Sequence, residues 1–207
     1  MPRALSTRRI LGIDRSGPRP PATLPGQPLN PWTIPNLIGF ARLALIPVFL
    51  VLGMSSGDGR AAPASIVYAV VGGSDYFDGF VARATGQYSR LGVLLDPVTD
   101  RLLVLSGAAV CWRFDLLPRW ALAVLAAREL VMLVISRLAM RRGIDVEINW
   151  VGRLGVWPTM FSLFLAMVSV TWVAEALLYV GLAMALTATV IYVRDGLAQR
   201  HLPSSSA

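Results

Sequence analysis

The sequence predicts an all-α integral membrane protein with six transmembrane helices. Three observations predict it. The hydrophobic fraction is 55% over 207 residues, more than a soluble domain of this size needs. Six apolar stretches each approach the ~20 residues that a helix needs to cross a hydrocarbon core. The arginines gather in the connections on one side, as cytoplasmic loops do.

The elements follow in order. Residues 1–31 read as a disordered basic cytoplasmic tail. Its first 30 residues carry Arg3, Arg8, Arg9, Arg15 and Arg19, six prolines and no continuous apolar run. That excludes a secretory signal peptide, and a tail touching anionic lipid is preferred over an Arg-rich mitochondrial transit peptide. A membrane domain then occupies 32–194, with spans expected at 35–54, 61–82, 92–112, 118–140, 154–172 and 174–193. Breaks are expected at Ser55–Arg60, Ala84–Leu91, Arg113–Leu117, Arg141–Arg153 and around Ala174, the last a very short turn near Glu175. Residues 195–207 read as a C-terminal tail. Pro47 reads as a simple kink, and Pro97 is expected to bend the third span beside the acids described below.

All 19 basic residues are Arg, a composition that looks like genome base bias. Of these, 13 fall in the connections on one side and Arg60, Arg113 and Arg119 on the other, which places both termini on the cytoplasmic side; the membrane expected is a bacterial plasma membrane. A net charge of +7 suits nucleic acid in a soluble chain, but beside long apolar segments it points to anionic lipid headgroups, with no nucleic acid partner. Cys111 is alone in an apolar run, so neither a disulfide framework nor a Cys-based zinc site is available. Trp112, Trp120, Trp150 and Trp157 lie near expected span ends and read as an aromatic belt. His201, in the C-terminal tail, needs no role.

Acid interrupts the second and third spans. Asp75 and Asp78 are three apart, Asp96 and Asp100 four apart, so each pair shares one helical face. Each ionised carboxylate in a bilayer costs several kcal/mol without a partner, on the order of 3 kcal/mol on insertion scales. A short cytoplasmic loop between the two spans brings the pairs together near the cytoplasmic ends of helices 2 and 3. Oxygen-only ligands suit hard cations, Mg²⁺ or Mn²⁺, and four acids suit two ions flanking a phosphoryl transfer. Gly79 and Gly92 offer places where a phosphate can approach the backbone, and Arg83 offers a cation with bidentate phosphate geometry.

The run Asp75-x2-Asp78-Gly79-x2-Ala82-Arg83-x8-Gly92-x3-Asp96-x3-Asp100 resembles the signature of the CDP-alcohol phosphotransferase family at all eight fixed positions. The resemblance covers roughly 32–194 and implies a homodimer with a metal-bound CDP-lipid donor. It implies Asp75, Asp78 and Asp96 as metal ligands and Asp100 as both ligand and general base. It also implies that Asp78, Gly79, Ala82 and Arg83 contact the cytidine diphosphate part of CDP-diacylglycerol.

The opening Thr33-Ile34-Pro35-Asn36-Leu37 with Arg42 resembles the branch that makes phosphatidylglycerol phosphate and cardiolipin. Arg42, Arg128 and Arg153 are the candidate acceptor-binding cations, unless they only snorkel to the interface. Phosphatidylglycerophosphate synthases typically show G-K-x-K-T where this chain has Gly152-Arg153-Leu154-Gly155-Val156. A dianionic glycerol 3-phosphate benefits from two cations, whereas phosphatidylglycerol is a monoanion. The missing second cation, with Arg128-Glu129-Leu130 and Arg141-Arg142-Gly143, favours cardiolipin synthase over phosphatidylglycerophosphate synthase. A cation- or proton-coupled transporter is the non-enzyme alternative, weakened by the lack of repeat symmetry and by clustering of the acids in one hairpin.

Overall fold

The computed structural model describes residues 27–28, 30–141 and 150–200, without the side chains of 76, 78, 136–141, 150–154, 192–193 and 195–200. The N-terminal tail to residue 26, Arg142, Gly143 and His201 lie outside the described residues, as do the side chains of Asp78, Arg141 and Arg153. The described residues form helices α1 (Ile34–Met54), α2 (Ala62–Thr85), α3 (Arg90–Arg113), α4 (Arg119–Arg141), α5 (Trp150–Val168) and α6 (Trp172–Arg200), with no strand among them.

Local chemistry sets the ends. Thr33 is extended and caps α1, its hydroxyl accepting from the Asn36 N–H at 3.4 Å, with Pro35 in the first turn. α2 stops at Gly86, whose φ of 68° is the left-handed conformation that glycine adopts without penalty. α3 continues as helix through Pro97. The connection between the acid-bearing helices is therefore only residues 86–89, and Arg83 belongs to the last turn of α2 rather than to a loop. The expected break began too early because hydropathy registers charge, whereas Ala84 and Thr85 continue a helix until the glycine.

The turn between α5 and α6 also differs from expectation. It falls at Ser169–Thr171 and not around Ala174, so Glu175 lies in the first turn of α6. Thr171 decides this: its hydroxyl accepts from the Val173 N–H at 3.2 Å, and its carbonyl from the Ala174 N–H. Apolar neighbours on both sides hide that cap from hydropathy. α5 correspondingly starts four residues before the expected span, at Trp150, which puts Arg153 on the helix and Trp157 two turns inside it. α6 runs to Arg200, beyond its expected end at 193.

The chain divides into two compact units. The first holds α1, α2 and α3 as far as Ser106. Its core joins Ile46 and Phe49 of α1, Tyr68 and Val71 of α2, and Leu103 of α3, with the Phe49 and Tyr68 rings 5.1 Å apart at 56°. The second holds residues 58–60 and everything from Gly107 onward. It buries Leu122 and Leu125 of α4, Leu163 and Met167 of α5, and Leu178 and Leu182 of α6.

Two glycines let α5 and α6 approach closely. A Cβ at Gly181 would stand 2.3 Å from the Thr159 hydroxyl and 2.8 Å from its backbone nitrogen. A Cβ at Gly155 would stand 3.1 Å from Met184 Cβ and 3.3 Å from the Ala185 nitrogen. Small residues at such crossings are how helices pack where lipid tails are as apolar as the side chains. The Ser162 hydroxyl adds a 2.6 Å bond to the Ala174 carbonyl.

Candidate active site

Arg42 organises the first unit's polar centre. It arises from the middle of α1 and is 2% exposed, so it does not snorkel to an interface. Its Nε donates to the Val71 carbonyl at 3.2 Å. Nη1 donates to Asp75 Oδ1 at 3.1 Å and Nη2 to Asp100 Oδ1 at 2.8 Å. One guanidinium thus ties together α1, α2 and α3 by a fork that no lysine reproduces. Asp75 and Asp100 are 45% and 29% exposed, so both acids stay accessible while their counter-cation is buried. Removing one member of a pair like this leaves an uncompensated charge, at a cost of about 3–5 kcal/mol when fully buried and less here, where the acids are part-exposed.

Asp78, Asp96 and Arg83 complete the motif. Asp78 is one turn along α2 from Asp75, and half-buried Asp96 is one turn before Asp100 on α3. The Arg83 guanidinium folds back along α2, where Nη1 would lie 3.1 Å from a Cβ at Gly79. Gly79 therefore makes room for that guanidinium. Among the described residues, no group of three or more His, Cys, Asp or Glu side chains stands at metal-holding distance. What the structure does bring together is Asp75 and Asp100, carboxylates from two helices converging on a single cation. That donor set fits a hard divalent ion.

The loop between the acid-bearing helices is braced by a residue that hydropathy overlooks. Asn36 is 1% exposed in the first turns of α1. Its Nδ2 donates to the Asn30 and Pro31 carbonyls at 2.9 and 3.2 Å, and its Oδ1 accepts from the Ser89 hydroxyl at 2.7 Å. Ser89 Oγ in turn accepts from the Gly92 N–H at 2.9 Å, and Gln87 Oε1 accepts from the Ile34 N–H at 3.1 Å. The volume beside Gly92 is filled by this brace, since a Cβ there would meet Asn36 Oδ1 at 2.9 Å and Ser89 Oγ at 3.2 Å. A buried amide inside an apolar helix was the available signal for Asn36. Ser89 carried none.

Arg128 and Arg153 belong to the second unit. Arg128, on α4, pairs with the buried carboxylate of Glu129, and its Nε donates to the Thr189 hydroxyl of α6 at 3.2 Å. Gly155 is buried against α6.

Comparison with known proteins decides the family. Residues 32–191 match the family model described as CDP-alcohol phosphatidyltransferase. The chain belongs to that family. It is 38% identical over 170 residues to a cardiolipin synthase (CMP-forming) of Streptomyces coelicolor, covering 77% of each chain. It is 28% identical over 143 residues to a CDP-diacylglycerol–glycerol-3-phosphate 3-phosphatidyltransferase of Bacillus subtilis, covering 63% of this chain and 74% of that one. Similarity to a probable phosphatidylglycerophosphate synthase of Mycobacterium tuberculosis is 29% over 160 residues, covering 75% and 76%. As a CDP-alcohol phosphatidyltransferase the chain is an enzyme, a transferase of phospholipid synthesis, and the transporter alternative falls away.

Proposed function

We propose that this phosphatidyltransferase joins the phosphatidyl group of CDP-diacylglycerol to a hydroxyl of phosphatidylglycerol, giving cardiolipin and CMP. The observation that carries the chemistry is the convergence of Asp75 and Asp100 on one cationic point between α1, α2 and α3. Asp75, Asp78, Asp96 and Asp100 would hold divalent ions, two of Mg²⁺ or Mn²⁺, which supply neutralising charge for the attacking and leaving oxygens.

The chain's own residues do the rest. Arg83, lying over Gly79, binds the pyrophosphate, and Asp78, Gly79 and Ala82 line the cytidine diphosphate end, whereas the space expected for phosphate beside Gly92 is taken by Asn36 and Ser89. Asp100 accepts the proton of the acceptor hydroxyl as its oxygen attacks the lipid-side phosphorus in line. The phosphorus–oxygen bond to CMP breaks, CMP departs with that electron pair, and Asp100 later releases the proton to water.

Phosphatidylglycerol as acceptor is supported by the similarity to the Streptomyces coelicolor cardiolipin synthase and by Gly155. Glycine at 155 leaves no second cation there to hold a dianion, and its closeness to Met184 and Ala185 gives packing a separate reason for the glycine. Arg128 and Arg153 remain the cations offered to the acceptor phosphodiester, whereas the buried Arg42 is engaged by Asp75 and Asp100. Glycerol 3-phosphate is the second reading, favoured by the relatives from Bacillus subtilis and Mycobacterium tuberculosis.

The helices present large apolar side chains outward, among them Val51, Ile66 and Val190, each above 60% exposed. α1 and residues Trp172–Ile191 of α6 are each long and apolar enough to cross a membrane. This supports a membrane-embedded chain. From the sequence come the further elements of this reading: six spans in a bacterial plasma membrane, both termini and the active site cytoplasmic, and a homodimer. The test is incubation with CDP-diacylglycerol and either acceptor, reading CMP and lipid product. Cardiolipin formed from phosphatidylglycerol, with little product from glycerol 3-phosphate, is the expected result. The reverse preference would make it a phosphatidylglycerophosphate synthase.

A further inference from the structure

We propose that Arg42 is the built-in counter-cation of the metal site, neutralising its aspartates when divalent ions are absent and yielding that role when they bind. The inference rests on the reading of these aspartates as metal ligands. The Arg42 guanidinium joins both acid-bearing helices, with Nη1 3.1 Å from Asp75 and Nη2 2.8 Å from Asp100. The Val71 carbonyl, 3.2 Å from Nε, fixes the guanidinium from behind, so both terminal nitrogens face carboxylates. The site lies among apolar helices, where acids without a partner are costly.

Two cations compensating the same carboxylates must compete. Arg42 therefore stabilises the metal-free protein more than the metal-loaded one, and by reciprocity lowers affinity for the ions. Arg42 is a positioning residue in this account, acting on substrate through the aspartates.

The experiment uses the full chain in detergent or nanodiscs. Thermal unfolding is followed in EDTA and in saturating Mn²⁺, and Mn²⁺ binding is read from the free-ion electron paramagnetic resonance signal. Arg42→Ala should unfold well below the wild type in EDTA and recover most of that loss in Mn²⁺. Its Mn²⁺ affinity should be about tenfold tighter. Arg42→Lys, which keeps the charge but loses the fork, should bind Mn²⁺ no more weakly than wild type and no more tightly than Arg42→Ala.

Equal destabilisation of Arg42→Ala with and without Mn²⁺ would mark a purely structural residue and overturn the proposal. So would unchanged or weaker Mn²⁺ binding by that variant. Should Arg42→Ala fail to fold in both conditions, Arg42→Lys decides, and a loss of more than tenfold in its Mn²⁺ affinity rejects the counter-cation role. Wild-type protein that binds no Mn²⁺ removes the metal reading itself, a distinct outcome from wild-type binding that Arg42 does not oppose.

Discussion

Asn36 and Ser89, 53 residues apart in the chain, share a buried 2.7 Å hydrogen bond that fastens the start of α1 to the loop joining the two acid-bearing helices. Asn36 also holds the Asn30 and Pro31 carbonyls, so one side chain binds three segments.

Asn36→Leu should therefore reduce both stability and turnover. It strands the Ser89 hydroxyl and two carbonyls, an expected cost of about 1–3 kcal/mol in thermal or denaturant unfolding. Misplacing the turn between Arg83 and Gly92 should slow CMP release by roughly ten- to a hundredfold. Gly92→Ala should act in the same direction by pushing against Asn36 Oδ1. A variant with full CMP release and lower stability would confine the brace to folding.

Metal removal gives a second outcome. EDTA should abolish CMP release, and Mg²⁺ or Mn²⁺ should restore it, because the candidate ligands are all carboxylates. Full turnover in chelator would reject a metal site.

Asp100→Asn separates charge from shape. Its carbonyl oxygen can still accept from Arg42 Nη2, so the chain should insert and fold. Losing the base should lower turnover about 10²–10⁴-fold. Retention of more than roughly a tenth of the activity would reassign the proton acceptor.

Gly181→Ala tests the α5–α6 crossing in a place with no assigned chemistry. A Cβ would stand 2.8 Å from the Thr159 backbone nitrogen, which cannot rotate away. Overpacking of this kind costs about 1–3 kcal/mol, measurable as a lower unfolding temperature. Unchanged stability would show that the crossing opens without strain.

The helices were largely legible because an apolar stretch and its charged ends are properties of the chain alone. The acid spacing was legible too, since three- and four-residue intervals place side chains on one helical face. The partners of those acids were not. That Arg42 meets Asp75 and Asp100 depends on how three helices pack, and the sequence reading left it among acceptor cations. Gly155 read as a missing charge, and packing adds a second reason for it in the nearness of Met184 and Ala185. The α5–α6 turn was misplaced because Thr171 caps a helix with a hydroxyl that hydropathy scores as nearly neutral.

The order of residues along the chain gives Arg42 a further consequence, in biogenesis. Proteins are made from the N-terminus, and earlier segments settle first. The helix carrying the arginine is therefore made before α2 and α3. Asp75 and Asp100 are made after the guanidinium that receives them in the folded chain. A chain starting after α1 would ask the insertion machinery to accept the acidic hairpin with no such host.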